Sequence, residues 1–140
     1  MDPEVPKSED QPEAGSTNRL LEAARAAATR AYAPYSGYRV GAAVMDGTGA
    51  IHAGCNVENA SYGLTVCAER NAVGAAVASG ATHLTAVAIF TRSSPPATPC
   101  GACRQVLSEF AGPTTPVYLI NDLGEQVVQG EPVVVRRRSR

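Results

Sequence analysis

Residues 83–110 read His83-Leu-Thr-Ala-Val-Ala-Ile-Phe90, then Thr91-Arg-Ser-Ser-Pro-Pro-Ala-Thr-Pro99, then Cys100-Gly-Ala-Cys-Arg-Gln-Val-Leu-Ser-Glu-Phe110. The first block is apolar and β-branched, which predicts a strand. The second is a Ser/Pro-rich loop, and Gly101 to about Phe110 predicts a short helix. Strand, loop and helix in that order form the unit of an α/β sheet. Downstream, Val117 to Asn121 predicts another strand, Asp122-Leu123-Gly124 a turn, and Gln126 to Gln129 a last strand. Upstream, an Ala- and Val-rich helix is expected from near Thr65 to about Ser79, largely buried. Before it, Tyr38 to Met45 and Ile51 to Val57 read as a hairpin around Asp46-Gly47-Thr48-Gly49. The first helix is expected from about Arg19 to Tyr32, capped by Asn18. Its Leu20, Leu21, Ala24, Ala27, Ala28 and Ala31 fall at helical spacing, and Ala33-Pro34-Tyr35-Ser36-Gly37 breaks it. There is no internal repeat. An opening hairpin followed by alternating helices and strands predicts a mixed sheet with helices on its faces.

The chain has 140 residues, enough for one domain with a modest core. Hydrophobic residues make up 44% and mean hydropathy is −0.09, as in a globular soluble protein. No apolar run approaches the ~20 residues of a transmembrane helix, so no membrane partner is expected. The N-terminus lacks a basic region followed by an apolar one, so no secretory signal is expected and the expected location is cytoplasmic. There, four cysteines point to metal ligands or free thiols rather than disulfides. Residues 1–17 are acidic, with Asp2, Glu4, Glu9, Asp10 and Glu13 against Lys7, and are expected to form a disordered tail. Residues 18–135 are expected to form one folded domain, and 136–140 a basic tail of Arg136, Arg137, Arg138 and Arg140. A short run of like charge is ordinarily a solvated end, and no basic face with interleaved aromatics accompanies it, so no nucleic-acid partner is expected.

The chemistry lies in two short runs, Cys67-Ala68-Glu69-Arg70 and Pro99-Cys100-Gly101-Ala102-Cys103-Arg104. Three thiols are one fewer than a closed zinc site uses, and a metal with three protein ligands keeps a position open for water. Cys67 and Cys100 each fall near a predicted helix start, where partial positive charge favours thiolate. Glu69, in the first turn of its helix, reaches over the same end and is placed to handle the water's protons. Three thiolates leave the site negative. Arg70 and Arg104, each directly following a site residue, are expected to hydrogen-bond the sulfurs and draw off charge.

Together these runs resemble the small homotetrameric cytidine deaminases, a resemblance that extends over about Leu20 to Leu119. Residues 33–43, Ala-Pro-Tyr-Ser-Gly-Tyr-Arg-Val-Gly-Ala-Ala, look like the family's N-terminal loop and first strand. Residues 54–60, Gly-Cys-Asn-Val-Glu-Asn-Ala, look like its ribose-binding segment. The resemblance implies a three-layer α/β/α cytidine-deaminase-like fold with a mixed, roughly five-stranded sheet. It implies one Zn²⁺ per chain held by Cys67, Cys100 and Cys103, and hydrolytic deamination of cytidine or deoxycytidine to the uridine form. Glu69 would take a proton from the attacking water and pass it to N3 of the pyrimidine, C4 would be attacked, and ammonia would depart. Asn56 and Glu58 would bind the ribose 3′-hydroxyl. Tyr38, where the family usually has Phe, would pack on the base. Ala68 belongs to the same substrate-binding set, the Thr98 carbonyl would accept from the leaving amine, and Ala60 to Tyr62 would reach a neighbouring subunit's site in a homotetramer.

Other readings of the same residues exist. Cys55 as a fourth ligand would close the zinc site and make the chain a stapled binding domain without catalysis, but would leave Glu69 and Arg70 without a role. Glu58 could be a plain surface acid. His52 and His83, on or near strands, read as edge or surface residues rather than ligands. The C-terminus, residues 131–140, lacks the Leu-Leu-Pro segment and following aromatic with which the family covers a neighbour's substrate. Related aminopyrimidine nucleosides, including antibiotic intermediates, therefore stay open as substrates.

Overall fold

The structure is a computed structural model and describes residues 14–129. In chain order the elements are α1 (Ala14–Ala28), β1 (Gly41–Asp46), β2 (Ile51–Cys55), a 3₁₀ turn (Tyr62–Leu64), α2 (Ala68–Ala78), β3 (Leu84–Phe90), α3 (Gly101–Phe110), β4 (Val117–Ile120) and β5 (Gln126–Gln129). The strands form one five-stranded sheet in the order β2-β1-β3-β4-β5. β3 and β4 are parallel, and the other neighbouring pairs are antiparallel. The sheet is therefore mixed, and the α/β expectation holds.

Two apolar clusters lie on opposite faces of the sheet. Ala42, Val44, Val87 and Ile89 face Ala68, Ala72, Val73 and Ala76 of α2 and Leu107 of α3. Ala43, Met45, Ala88 and Phe90 face Leu20, Ala24 and Ala28 of α1. Period-two alternation along β1 and β3 thus feeds two layers of helix from one pair of strands. The alanines let the helices come close. A Cβ on Gly41 would fall 1.9 Å from the Ala24 carbonyl oxygen, and one on Gly54 would fall 2.5 Å from the Ala72 amide nitrogen. Only glycine fits at these two approaches.

Several boundaries differ from expectation. α1 is already helical at Ala14, so Asn18 lies inside the helix and is not its cap, and residues 14–17 belong to the helix rather than to a tail. Residues 1–13 and the tail from 130 lie outside the described residues. α1 stops at Ala28, short of Tyr32: Arg39 Nη1 donates to the Thr29 carbonyl at 3.1 Å, and the Tyr32 amide turns to the Asn56 carbonyl at 3.0 Å. Residues 38–40 are held by the Asn56 side chain instead of a strand ladder, so β1 starts at Gly41. α2 starts at Ala68 after Cys67, three residues later than expected, because Val66 pairs with Val57 first.

Candidate active site

Topology explains why the cysteine runs meet. β2 and β3 point the same way, since each is antiparallel to β1. The steps β2 to β3 and β3 to β4 run in the same direction across the sheet. Helical crossovers between parallel strands are right-handed almost without exception. Both α2 and α3 therefore lie on one face, and both begin at the same end of the sheet. Cys67 is the N-cap of α2 and Cys100 the N-cap of α3. The Cys100 sulfur accepts from the Cys103 amide at 3.4 Å. The sulfurs of Cys67, Cys100 and Cys103 lie within 4.8 Å of one another. Sulfurs bound tetrahedrally at about 2.3 Å from one zinc ion sit roughly 3.8 Å apart, so a small inward adjustment closes the set.

The surroundings of the sulfurs fit a metal as well. Arg70 Nη2 donates toward Cys67 Sγ at 3.6 Å and to the Thr65 carbonyl at 3.4 Å. Arg70 is thereby held charged above the already high arginine range, chiefly by Cys67. Arg70 Nε and Gln105 Oε1 are, among the described residues, the buried side-chain polar atoms without a partner. Arg104 differs from expectation: its Nε donates to the Pro99 carbonyl at 3.1 Å and braces the start of α3 rather than a sulfur. Burial pushes the Cys103 thiol far above the ordinary thiol range, while hydrogen bonds from Cys103 and Cys67 outweigh burial at Cys100 and lower it.

Glu69 is 5% exposed. Burial raises its carboxyl above the ordinary range, opposed by the backbone amide of its own helix turn, the Cys103 thiol and Arg70. It opens into a cavity of about 240 Å³ shared with Cys67, Cys100, Ala68, Tyr38, Asn56 and Thr98. Of the residues expected at the site, Cys103, Arg70, Arg104, Glu58, Ala60 and Tyr62 do not line it. Glu58 instead ties down the preceding loop, with Oε1 accepting from the Tyr35 amide at 2.9 Å and the Ser36 amide at 3.1 Å, and Oε2 accepting from the Ser36 hydroxyl. Those bonds, Ser36 foremost, lower its carboxyl. Ala60 is exposed and Tyr62 is 91% exposed. Val40, Thr65, Ile89, Thr91 and Ala97 also line the cavity. They went unread because tertiary packing of separate segments brings them there. Tyr38 Oη hydrogen-bonds Ser93 Oγ.

Cys55 is not in the sulfur cluster. It faces α1 beside Ala23, Ala26 and Ala27. His52 Nε2 donates to Asp46 Oδ2 at 2.8 Å, and the His83 ring lies so close over Gly47 that an added Cβ would come within 2.2 Å of it. Neither histidine joins the site.

The profile of the cytidine and deoxycytidylate deaminase zinc-binding region matches residues 15–119. The chain belongs to the cytidine deaminase family. A cytidine deaminase of Sporosarcina psychrophila is 44% identical over 107 residues, 76% of this chain and 79% of that protein. Among solved structures, a cytidine deaminase from Burkholderia pseudomallei matches with a TM-score of 0.77 and 48% identity, covering 81% of this chain and 91% of that one. One from Mycobacterium tuberculosis matches with a TM-score of 0.68 and 44% identity, covering 72% and 82%. The chain is thus an enzyme of the cytidine deaminase family with the fold of that family, and its cofactor is zinc, which the cluster of Cys67, Cys100 and Cys103 could hold.

Proposed function

We propose that this enzyme hydrolyses the exocyclic amine of cytidine and deoxycytidine, releasing ammonia and the uridine product. The observation that carries the reading is a buried carboxylate, Glu69, beside three converging sulfurs at the wall of a cavity sized for a small ligand. When bound, zinc lowers the pKa of water toward ~7 and supplies a nucleophile at neutral pH. Glu69 takes the water's proton and delivers it to N3 of the ring, and its raised affinity for protons strengthens it as the base. Carbon 4 gains the oxygen and loses the amine, which leaves with a proton passed on by Glu69. Tyr38 packs on the base, Ala68 lies against the ring, and the Thr98 carbonyl accepts from the amine. Asn56 and Glu58 each keep unused hydrogen-bonding capacity for the ribose 3′-hydroxyl, as set out below.

Ala60 and Tyr62, exposed and outside their own cavity, serve a neighbour's site in a homotetramer. Free thiols at the zinc site suit a reducing, cytoplasmic setting. No described helix is long and apolar enough to cross a membrane. The test is ammonia release by the zinc-loaded enzyme from cytosine, cytidine, deoxycytidine and a panel of aminopyrimidine nucleoside antibiotics. Turnover of the first two nucleosides in preference to cytosine supports the reading. Turnover of an antibiotic alone replaces the substrate, and release from none refutes the reaction.

A further inference from the structure

The two extended segments that wall the catalytic cavity have a reverse face. Tyr38 and Val40 line the cavity, as do Ile89 and Thr91. The residues between and beyond them, Arg39, Phe90 and Arg92, line a different cleft of about 210 Å³, with Arg25 and Asp122. Side chains alternate sides along extended chain, so the cleft lies behind the cavity wall, against α1.

Gly41 pairs with Phe90 in the antiparallel register. The ladder ends at that pair, and just beyond it Arg39 and Arg92 line the same cleft. Like charges gathered in one cleft repel, and the third arginine, Arg25, sits over the Phe90 ring at 5.5 Å. Among the described residues none of the three forms an ion pair, although Asp122 lines the same cleft. Arg39 donates once, to the Thr29 carbonyl. Arg92 has no hydrogen bond among the described residues. A guanidinium carries five N–H donors, so most of the donor capacity is unused.

We propose that this cleft binds a phosphoryl group, with inorganic phosphate as the simplest ligand and a phosphorylated small molecule as the general class. Three arginines and one aspartate leave a net charge of +2 around the cleft. A phosphate monoester group carries about −1.5 to −2 near neutral pH and offers three acceptor oxygens. Guanidinium forks match that geometry. An anion between Arg39 and Arg92 converts their repulsion into a bridge. Because it sits behind Val40, Ile89 and Thr91, it also firms the cavity wall.

The binding arm of the test does not depend on the deaminase reading. The full-length, zinc-loaded protein is titrated with inorganic phosphate, and with chloride at matched ionic strength, while Tm is followed. A saturable rise with phosphate alone is expected. Replacing both arginines (Arg39→Gln with Arg92→Gln) should weaken phosphate binding roughly tenfold or more, whereas Arg30→Gln, outside the cleft, should not. In phosphate-free, low-salt buffer, Arg92→Gln should match or exceed the parent in Tm, because a repulsion has been removed. The proposal is overturned by a response no larger than that to chloride, by an equal response in the double variant, by an equal loss with Arg30→Gln, or by a lower Tm of Arg92→Gln without phosphate.

Discussion

An asparagine amide offers two donors and two acceptor positions, and Asn56 commits half of them within the chain. Its Oδ1 accepts from the Val40 amide and its Nδ2 donates to the Tyr38 carbonyl, both at 2.8 Å. One donor and one acceptor position remain for a substrate hydroxyl. Glu58 Oε1 is filled by two amides, while Oε2, with one hydroxyl, has room for another. Asn56→Ala should therefore have two effects. It should cost about 1–3 kcal/mol in chemical denaturation, from the partners left unpaired, and it should narrow the kcat/KM preference for cytidine over cytosine. Unchanged stability would show that residues 38–40 are held by other means. Asp46 gives a pH-dependent case. Its carboxyl accepts from Thr48 Oγ1, His52 Nε2 and two amides, and Thr48 foremost, then His52, holds it below the ordinary carboxylate range. A depressed folded pKa stabilises above the unfolded value of about 3.9 and loses that stability as pH falls through the folded one. Asp46→Asn should lower Tm by a constant amount from pH 7 to about 5, with the gap closing below about pH 4. A gap that persists at lower pH would assign the loss to shape rather than charge. The sulfur ligands and Glu69 were legible as residues because their spacing is local. The Glu58–Ser36 tie spans 22 positions and leaves no local pattern to read.

At the scale of elements, the site depends on how closely α2 can seat on β2. Gly54 sits where any Cβ would collide with the Ala72 amide and the Ala68 carbonyl, and Ala68 is the first residue of the helix that carries Glu69. Gly54→Ala should push the start of α2 outward, lowering zinc content and turnover together while far-ultraviolet circular dichroism changes little. Full zinc occupancy with normal turnover would show that the helix can shift without cost to the site. Element types and order followed from the sequence, since hydrophobic period and Gly/Pro breaks are local signals. Element ends did not, because tertiary partners set them: Tyr32 leaves the α1 path for Asn56, and Val66 pairs with Val57 before α2 begins. Asn18 has the composition of a cap but lies inside a helix already formed at Ala14.

For the whole molecule, one sheet carries two helical crossovers on one face, and the candidate site lies where their helices start. The rest of the proposed assembly rests on what this chain leaves outward: Tyr62 is 91% exposed and Leu64 65% exposed, beside a cavity they do not line. Light scattering should give the mass of a tetramer, and Tyr62→Asp should reduce that mass and raise KM. A native monomer with normal kinetics would remove the neighbour from the site. The central claim is that one buried carboxylate handles the protons of a zinc-dependent deamination. It is tested most directly by Glu69→Gln, assayed for zinc content, cytidine binding and ammonia release on the same preparation. General acid–base catalysis typically contributes ~10²–10⁴-fold, and here a single group serves several transfers. The account predicts zinc and cytidine bound as in the parent, with turnover reduced by about 10⁴-fold or more; turnover within about tenfold of the parent would contradict it.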